Sequence, residues 1–305
     1  MDVLVLSEAE VRELLDLGEL IDELSAGFQA LSDGELTVAD RTGLELPDGL
    51  LLSMAGARRL IAVKNVTIFD GNQPPLPTHL ATIALYDRDT GACRAFMDGT
   101  HVTAARTAAA AALAVRELAR PDARSLLVVG GGVQSGWHLA ALPLVRDFEE
   151  VAVWARRREQ AEALGPVAED LEAAVRGADV VALTTGAAEP VIRAEWVKPG
   201  AHVSSIGFHP PGGELPRELA ERGRLFVETR AAFAAPPVGC AELAGLDPAS
   251  GTELGEVLSG ARPGRRGAEE ITVYKAMGHV LEDAVAAELA HRRALERGIG
   301  RVVPI

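Results

Sequence analysis

The chain has few of the residues that build disulfide frameworks and metal clusters. It contains only 2 cysteines in 305 residues, and Cys93 and Cys240 lack the paired spacing of a zinc site. Its 7 histidines are scattered without the i, i+4 spacing that places two ligands on one helix face. We therefore predict no metal site, and a disulfide is not expected without a secretory context.

Basic residues are also in the minority, since 30 lysines and arginines accompany 44 aspartates and glutamates and leave a net charge of −14. Such a surface repels a phosphate backbone and offers no polybasic segment to an anionic membrane. The start, MDVLVLSEAE, has neither a basic segment nor a long apolar run, which predicts neither export nor a membrane span. We expect a cytoplasmic protein whose partners include neither nucleic acid nor a membrane.

Near the middle of the chain, an apolar strand runs into a glycine turn and a helix, in the segment SLLVVGGGVQSG that begins at Ser125. Glycines such as Gly130 and Gly132 let the backbone approach a pyrophosphate, and the first turn of the helix offers unpaired N–H groups to it. The third small position is Ser135 rather than glycine, so the turn alone is a weak signal. An ordinary glycine-rich strand end is the alternative interpretation.

The segment after this turn favours a dinucleotide-binding domain, because strand and helix patterns alternate to about Glu228. This alternation is typical of a doubly wound parallel sheet. Where an NAD enzyme has a carboxylate for the adenosine ribose, this chain has Arg156, Arg157 and Arg158. Guanidinium groups match a 2′-phosphate in charge and in paired hydrogen bonds, so we predict NADP(H) in preference to NAD(H). A solvated basic helix start would explain Arg157 and Arg158, although not the missing carboxylate.

The segment before Ser125 is predicted to build the substrate half of the protein. Aliphatic and β-branched runs between Leu50 and Asp98 indicate strands, and the turn from Asp87 to Gly91 predicts an antiparallel hairpin. An alanine-rich helix is expected from Thr103 to about Ala119, where the following Arg-Pro pair ends it.

A second helical pattern is expected near the end of the chain, from Ile271 through His291, packed back on the N-terminal half. The predicted fold class is therefore α/β, with a Rossmann-type doubly wound parallel sheet at 121–270. A discontinuous α+β domain for substrate binding and dimerisation is predicted to comprise 1–120 and 271–305.

Basic residues of the substrate half are candidates for binding an anion. Lys64 lies within the apolar strand LIAVKNVTIF, where a lysine must find an anion or face a cavity, unless it points outward from an edge strand. Arg106 lies in the first predicted turn of the alanine-rich helix beside Thr103 and Thr107, where N–H groups and a guanidinium could share one anion. Arg41, in a loop, does not differ by itself from a surface arginine.

Together with their flanking sequence, these residues resemble the ornithine cyclodeaminase and mu-crystallin family over nearly the full length of the chain. The matching segments are LLSMAG, VKNVTIFDGN, LPTHLATIALYD, DTGACRAFMDGTHVTAARTAA, LARPDARSLLVVGGGVQSG and EEITVYKAMGHVLEDAVAAELA. The resemblance implies a homodimer whose N-terminal domain forms the dimer contact and whose C-terminal helix returns to that domain.

The resemblance also implies roles for individual residues. Arg41, Lys64 and Arg106 match the clamp on the substrate carboxylate, and Thr78 matches a residue near the nicotinamide. The residues that match the dinucleotide site are Val133 and Gln134 at the pyrophosphate turn, Ala155 and Arg156 at the ribose, Thr185 as a cofactor contact, and Ser204 to Gly207 beside the nicotinamide.

One departure from the family pattern lies just after the last of these residues. The family carries Gly-x-Asp-x-Pro-Gly, and this chain has Gly-Phe-His-Pro-Pro-Gly from Gly207 to Gly212. In the family that aspartate handles protons and orients the amine while an amino acid is oxidised, so its absence argues against ornithine cyclisation. His209 can act as an acid toward an imine, or it can simply fill the loop.

Reduction of a C=N bond beside a carboxylate needs a nicotinamide hydride, a clamp for the carboxylate and a protonated nitrogen. The sequence predicts an NADPH-dependent reductase of small cyclic imino acids, such as pyrroline-2-carboxylate or piperideine-2-carboxylate, with Lys64 and His209 as catalytic residues. Proline or pipecolate would be the product. The alternatives are ornithine cyclodeaminase or alanine dehydrogenase activity with NAD, and a non-catalytic mu-crystallin-like protein that binds NADPH and a small ligand.

Overall fold

The secondary structure forms two separate sheets in a computed structural model that describes residues 2–73 and 75–305. The chain divides into two units, one comprising Met1–Arg106 with His279–Ile305 and the other Thr107–Gly278. The predicted boundaries at 120/121 and 270/271 differ from this division. The alanine-rich helix continues into the second unit, where the Leu118 carbonyl accepts hydrogen bonds from Arg265 and Thr272.

The first unit contains an eight-stranded sheet in the order β15-β1-β7-β6-β5-β4-β2, with β3 paired to β4. Only the β1–β7 pair is parallel, and the other pairs among the described strands of this sheet are antiparallel. The strands are β1 (Asp2–Leu6), β2 (Thr37–Val38), β3 (Thr42–Leu46), β4 (Gly49–Ala57), β5 (Leu60–Ile68), β6 (His79–Asp87), β7 (Cys93–Asp98) and β15 (Arg301–Pro304).

The second unit contains seven parallel strands in the order β13-β12-β14-β11-β10-β8-β9. The predicted α/β fold with a doubly wound parallel sheet is confirmed. Its strands are β8 (Ser125–Val129), β9 (Glu150–Trp154), β10 (Val180–Leu183), β11 (His202–Ser205), β12 (Arg224–Val227), β13 (Thr252–Glu253) and β14 (Thr272–Lys275).

Helices cover or connect these strands. The α-helices are α1 (Glu8–Leu14), α2 (Leu17–Ser32), α3 (Thr100–Leu118), α4 (Val133–Ala141), α5 (Arg158–Glu162), α6 (Leu171–Gly177), α7 (Arg217–Arg222), α8 (Leu254–Leu258) and α9 (Val280–Arg297). Short 3-10 helices lie at Leu142–Leu144, Ala194–Trp196, Arg230–Phe233 and Pro248–Ser250. Within the described ranges, no helix has both the length and the apolar character needed to cross a membrane.

The predicted hairpin is confirmed between β6 and β7, which pair antiparallel. Asp87 closes the turn, because its Oδ1 accepts hydrogen bonds from the backbone N–H groups of Asp89 at 3.2 Å and Thr90 at 2.9 Å. An aspartate side chain that bonds to the backbone two or three residues later stabilises a turn at that point.

The helix predicted from Ile271 to His291 is wrong in its first half. Residues 272–275 form β14, paired with β11 and β12, and α9 begins only at Val280. A central strand of a parallel sheet is buried on both faces, so its continuous apolar pattern cannot be distinguished from a buried helix by periodicity alone. The β-branched Thr272 and Val273, followed by Tyr274, were the local signal for a strand.

Helix α9 packs on the face of the first sheet formed by β4, β5 and β6, and it also contacts α1 and α2. Most of its residues are buried, including three acidic side chains, Glu282, Asp283 and Glu288. Glu288 accepts hydrogen bonds from the backbone N–H groups of Arg59 at 3.1 Å and Leu60 at 2.9 Å. Glu282 and Asp283 have different hydrogen-bond partners from those of Glu288.

Candidate functional site

Strand β5 carries Lys64 into the interior of the first unit. Lys64 is paired with Met54 of β4 and Ile83 of β6, so it lies on an inner strand of the sheet. Its side chain is only 1% exposed, and Nζ donates a hydrogen bond to Asp283 Oδ1 at 2.7 Å. The alternative of an outward-pointing lysine on an edge strand is therefore wrong, and Lys64 has found an anion.

Arg106 reaches the same carboxylate from α3. Its Nε lies 3.1 Å from Asp283 Oδ1, and its Nη1 donates a hydrogen bond to Glu282 Oε2. Because α3 begins at Thr100, Arg106 lies in the second turn of the helix rather than in the first. Its guanidinium is bound by side chains of α9, and the sharing of an anion with N–H groups of the helix stays a prediction.

We call Lys64, Arg106, Glu282 and Asp283 the Lys64 cluster. Both acids of the cluster are fully buried, and Asp283 Oδ1 is shared by the two cations. Asp283 Oδ2 is buried and has no hydrogen-bond partner among the described residues. A buried polar oxygen of this kind is a potential acceptor for a ligand that carries an N–H group.

The charges of the cluster act strongly on one another. Burial lowers the pKa of Lys64 to about 8, opposed by the charge of Asp283 and reinforced by the charges of Arg106 and Arg41. For Asp283, burial acts to raise the pKa, but the nearby Arg106 and Lys64 outweigh it and hold the pKa below its usual value. Near neutral pH, Asp283 is therefore ionised and Lys64 is mostly protonated.

Arg41 lies close to the cluster, with its Nε 3.3 Å from the Sδ of Met54. Met54 is the residue paired with Lys64 across β4 and β5. Arg41 is thus a third basic side chain beside the two acids of the cluster. Guanidinium and ammonium groups bind carboxylates, so these three basic residues suit a ligand with one carboxylate.

Thr78 lies apart from these residues in the hydrogen-bond pattern. It is exposed just before β6, and its Oγ1 lies 2.9 Å from His79 Nδ1. In the part of the chain that the structure describes, no hydrogen bond joins Thr78 to the Lys64 cluster. Its place near the nicotinamide stays a prediction.

The glycine turn of the second unit has the geometry that a dinucleotide needs. Gly130 has φ +143, and a Cβ at this position would collide with the Thr184 side chain. Helix α4 then begins after Gly132, and no side chain caps its N-terminus. Its first residues, Val133 and Gln134, follow this open end, which fits a phosphate group.

Serine at the third small position of the turn has a structural explanation. Ser135 is fully buried, and its Oγ lies 2.8 Å from Thr184 Oγ1, which follows β10. A serine thus packs α4 against the sheet as a glycine would, with a hydrogen bond added. The turn lies between β8 and β10, where the strand order reverses, and α/β sheets bind ligands at this point.

The end of β9 adjoins the turn, because the Trp154 carbonyl accepts a hydrogen bond from Gly130 N at 2.8 Å. Ala155 follows directly, and the next residues, Arg156 and Arg157, are exposed. Within residues 2–73 and 75–305, neither of these two arginines has an ion-pair partner, whereas Arg158 pairs with acidic side chains of its own unit. Arg156 and Arg157 are thus available to an anionic ligand.

The remaining predicted cofactor residues lie at the carboxyl ends of β10 and β11, which are neighbouring parallel strands. Thr185 follows β10, Ser204 lies in β11, and Gly207 follows it. His209 is exposed in the next turn, where its carbonyl accepts a hydrogen bond from Gly212 N at 3.0 Å. The structure thus brings the ends of these two strands together, and the functions of the four residues stay predictions.

Sequence reasoning missed the acidic members of the site. Glu282 and Asp283 interrupt an otherwise apolar helical face, and this signal was visible, although nothing in the sequence identified their partners. No such signal marked two other buried acids, Glu214 and Glu242, because they lie in irregular segments. Lys275 gave no such signal either. Among the residues with described positions, no three His, Cys, Asp or Glu side chains are grouped so that they could hold a metal ion.

Comparisons with known proteins agree with this architecture. The sequence profile of the ornithine cyclodeaminase/mu-crystallin family matches residues 1–298. Ketimine reductase mu-crystallin from Mus musculus is 35% identical over 304 residues, which cover 94% of this chain and 96% of that protein.

Two solved structures are similar over essentially the whole chain. Delta(1)-pyrroline-2-carboxylate reductase from Thermococcus litoralis, in complex with NADH and L-proline, has a TM-score of 0.93 and 30% identity, covering 99% of this chain and 100% of that one. An archaeal alanine dehydrogenase dimer with bound NAD has a TM-score of 0.91 and 27% identity, covering 100% of both chains. The chain described here belongs to the ornithine cyclodeaminase/mu-crystallin family.

Proposed function

We propose that this protein is an NADPH-dependent reductase of small cyclic imino acids such as pyrroline-2-carboxylate or piperideine-2-carboxylate. The observation that carries the proposal is the Lys64 cluster with Arg41 beside it, in which Lys64 and Arg106 share one oxygen of the buried Asp283. The chain is an NAD(P)-dependent enzyme that acts on carbon–nitrogen bonds, like its relatives.

In this proposal the cations of the first unit bind the substrate carboxylate and orient the adjacent C=N bond. The bound nicotinamide would supply the hydride that adds to the imine carbon. Lys64, protonated near neutral pH and already hydrogen-bonded, donates a proton to the imine nitrogen or keeps that proton in place. Addition of one proton and one hydride converts the C=N bond into the secondary amine of the product.

His209 is the proposed second acid of the site. It stands where the family has an aspartate, and its exposed position in the turn leaves the imidazole open to proton exchange with water. A histidine can deliver a proton to an imine, and the carboxylate that orients the amine of an amino acid in the family is absent at this position. This difference favours imine reduction over ornithine cyclisation or alanine oxidation.

The preference for NADP(H) is supported by the exposed arginines after β9. Arg156 and Arg157 offer two guanidinium groups to a 2′-phosphate, and Ala155 leaves the ribose end without a carboxylate to repel it. The two solved relatives are described with NADH or NAD. The preference for NADP(H) is therefore a proposal about this chain and its arginines.

A cofactor and substrate matrix tests the proposal directly. Purified protein is mixed with NADPH or NADH and with each cyclic imine, and with NADP⁺ or NAD⁺ and ornithine, lysine or alanine, while nicotinamide absorbance and ammonia release are followed. We expect loss of NADPH absorbance with a cyclic imine. Ammonia release from an amino acid would favour the deaminating alternatives, and tight NADPH binding without any turnover would favour the non-catalytic binding protein.

The descending limb of the pH profile is expected near pH 8. Lys64 acts in its protonated form, and burial lowers its pKa to about 8, so kcat/KM for imine reduction should fall as the pH rises through that value. An unperturbed lysine would place this limb near its ordinary pKa of about 10.4. The measurement is kcat/KM against pH at saturating NADPH, and a profile that stays flat to about pH 10 would contradict the role of Lys64.

We also propose a homodimer formed through the outer face of the first sheet. This face lies opposite Lys64 and exposes large apolar side chains, with Leu44 57%, Leu46 44%, Leu80 36% and Phe96 46% exposed. Large exposed apolar side chains on one sheet face favour a protein interaction surface. The archaeal alanine dehydrogenase of similar structure is described as a dimer.

Replacement of Phe96 by glutamate is expected to convert the dimer into a monomer, because a charge at the centre of an apolar interface loses its water without gaining a partner. Size-exclusion chromatography with light scattering measures the mass directly. Leu295→Glu is the matched control, since Leu295 is also exposed, at 64%, but lies on α9. An unchanged mass for Phe96→Glu, or an equal loss in both variants, would argue against this interface.

A further inference from the structure

A single buried carboxylate joins the carboxyl ends of two strands in the second unit. Glu214 is fully buried, and its Oε1 accepts hydrogen bonds from Ser205 Oγ at 3.0 Å, Ile206 N at 3.0 Å and Gly207 N at 2.6 Å. Its Oε2 accepts two more from Thr185, from N at 2.6 Å and from Oγ1 at 2.7 Å. Thr185 follows β10 and Gly207 follows β11, so one side chain fixes both ends.

Lys275 hydrogen-bonds to the same segment around Gly207. It is the last residue of β14 and is fully buried, and its Nζ donates hydrogen bonds to Gly207 O at 2.6 Å, Ser205 Oγ at 3.2 Å and Glu242 Oε1 at 2.8 Å. The peptide groups around Gly207 are therefore held through the N–H by Glu214 and through the carbonyl by Lys275. This leaves the segment little freedom to move.

The segment also leaves space for a second acid, Glu242, next to Gly213. A Cβ at Gly213 would collide with the Glu242 carboxylate, so a glycine at this position lets Glu242 approach Lys275. The turn that carries His209 lies between Gly207 and Gly213 in sequence. Its Gly207 end is anchored to the buried side chains of Glu214 and Lys275, and at the other end Gly213 N donates a hydrogen bond to the Ala188 carbonyl at 3.1 Å.

Only a carboxylate satisfies the five donors that converge on residue 214. A glutamine would turn its NH₂ group toward backbone N–H groups or hydroxyls, leaving buried donors facing one another. The network therefore fixes the backbone at Thr185, which family resemblance assigns as a cofactor contact, and at Gly207, which it assigns to the strand end beside the nicotinamide. Ligands of α/β sheets bind at these carboxyl ends.

We infer that Glu214, supported by Lys275, is a positioning residue that holds Thr185 and Gly207 for the nicotinamide end of the cofactor. The inference rests on the proposed function for the identity of the cofactor. It assigns Glu214 no contact with the adenosine end, which lies at the glycine turn and at Arg156. The two ends of the cofactor should therefore respond differently when Glu214 is changed.

The test compares binding of whole NADPH with binding of 2′-phospho-ADP-ribose, which lacks the nicotinamide ring. For Glu214→Gln, we expect the dissociation constant of NADPH to rise about 10-fold or more, as for loss of charge-assisted hydrogen bonds. The dissociation constant of the fragment should stay within about 2-fold of wild type, since the contacts of the fragment lie elsewhere. General damage to the sheet would weaken both ligands alike.

Asp179→Asn is the matched control. Asp179 is a largely buried carboxylate at the opposite, amino edge of the same sheet, where its Oδ2 accepts hydrogen bonds from Arg124 N at 2.8 Å and Ser125 N at 3.1 Å. We expect this variant to unfold more easily while the ratio of the two dissociation constants stays unchanged. An equal ratio in Glu214→Gln and wild type would overturn the inference.

Should Glu214→Gln fail to fold, Ser205→Ala takes its place, because this variant removes only the two hydrogen bonds that Ser205 Oγ makes with Glu214 and Lys275, and no charge. Ser205→Ala should show the same selective loss of NADPH affinity, but a smaller one. An unchanged ratio of the two dissociation constants would again overturn the inference. Turnover of imines is recorded separately. A selective loss of nicotinamide binding in a protein that reduces no imine would leave the positioning role standing and reject the proposed substrate.

Discussion

Replacement of Lys64 by methionine is expected to lower kcat/KM for cyclic imine reduction by about 10²–10⁴-fold, the range for loss of a positioned acid. Methionine keeps the length and apolar stem of lysine but removes the ammonium group that bonds to Asp283 at 2.7 Å. The variant loses both a cation for the substrate carboxylate and the proposed proton donor. Initial rates under saturating NADPH measure the effect.

The control for this experiment uses another lysine with a comparable ion pair. Lys198 Nζ lies 2.8 Å from Asp179 Oδ1 in the second unit and is half-buried. Lys198→Met should therefore cost stability but retain most of the imine reductase activity. NADPH binding should survive in both variants, because its proposed contacts are the glycine turn and the arginines after β9. A Lys64→Met enzyme within a few-fold of wild type would remove Lys64 from the mechanism.

A second variant, Lys64→Arg, distinguishes between two roles of Lys64, binding of the substrate carboxylate and donation of a proton. If Lys64 only binds the carboxylate, Lys64→Arg should restore much of the activity and leave the pH profile without a limb near 8, because arginine stays protonated. If Lys64 also donates the proton, Lys64→Arg should recover substrate affinity without recovering kcat, since arginine does not release its proton. The split between KM and kcat therefore reports which role dominates.

The second sheet could be predicted from sequence because its order follows from local signals. The segment around Gly130 needs glycine for steric reasons, and the alternation of strands and helices after it admits few topologies. The exception was β14, whose residues are buried on both faces as those of a buried helix would be. Its place in the centre of the sheet depends on pairing with β11 and β12, which no local pattern reports.

Only the basic half of the Lys64 cluster could be predicted, because its acids, like the partners of β14, are distant in sequence. Lys64 and Arg106 were conspicuous because a cation in an apolar strand or an alanine-rich helix needs an explanation. Their anions come from α9, far away in sequence, since Asp283 lies 219 positions after Lys64. Nothing in the spacing of Glu282 and Asp283 reveals that the helix returns to β5 with these side chains inward. Long-range pairing of this kind is visible only in the folded chain.

Replacement of Asp283 by asparagine is expected to destabilise the first unit by about 3–5 kcal/mol, the cost of removing one partner from a buried ion pair. Asp283 Oδ1 accepts hydrogen bonds from both Lys64 Nζ and Arg106 Nε, so the substitution removes the anion that two buried cations share. Urea unfolding at pH 7, followed by circular dichroism, measures the change. Glu296→Gln, on the exposed side of the same helix, should shift the free energy of unfolding by no more than about 0.5 kcal/mol.

The pH dependence of this destabilisation follows from the sign of the shift. The pKa of Asp283 is lowered in the folded protein despite burial, which acts to raise it, because Arg106 and Lys64 favour the anion. Its contribution to stability is therefore fully present above the unfolded pKa, near 3.9, and is lost as the pH falls through the folded pKa. The difference between wild type and Asp283→Asn should be large at pH 7 and shrink in acid.

A double variant separates the charge pair from simple packing damage. In Lys64→Met with Asp283→Asn, one buried cation is removed together with its anion, and Arg106 keeps Glu282. If the pair is coupled as the 2.7 Å contact indicates, the double variant should be more stable than the sum of the two single changes predicts. Strict additivity would mean that Asp283 contributes to stability mainly through Arg106 rather than through Lys64.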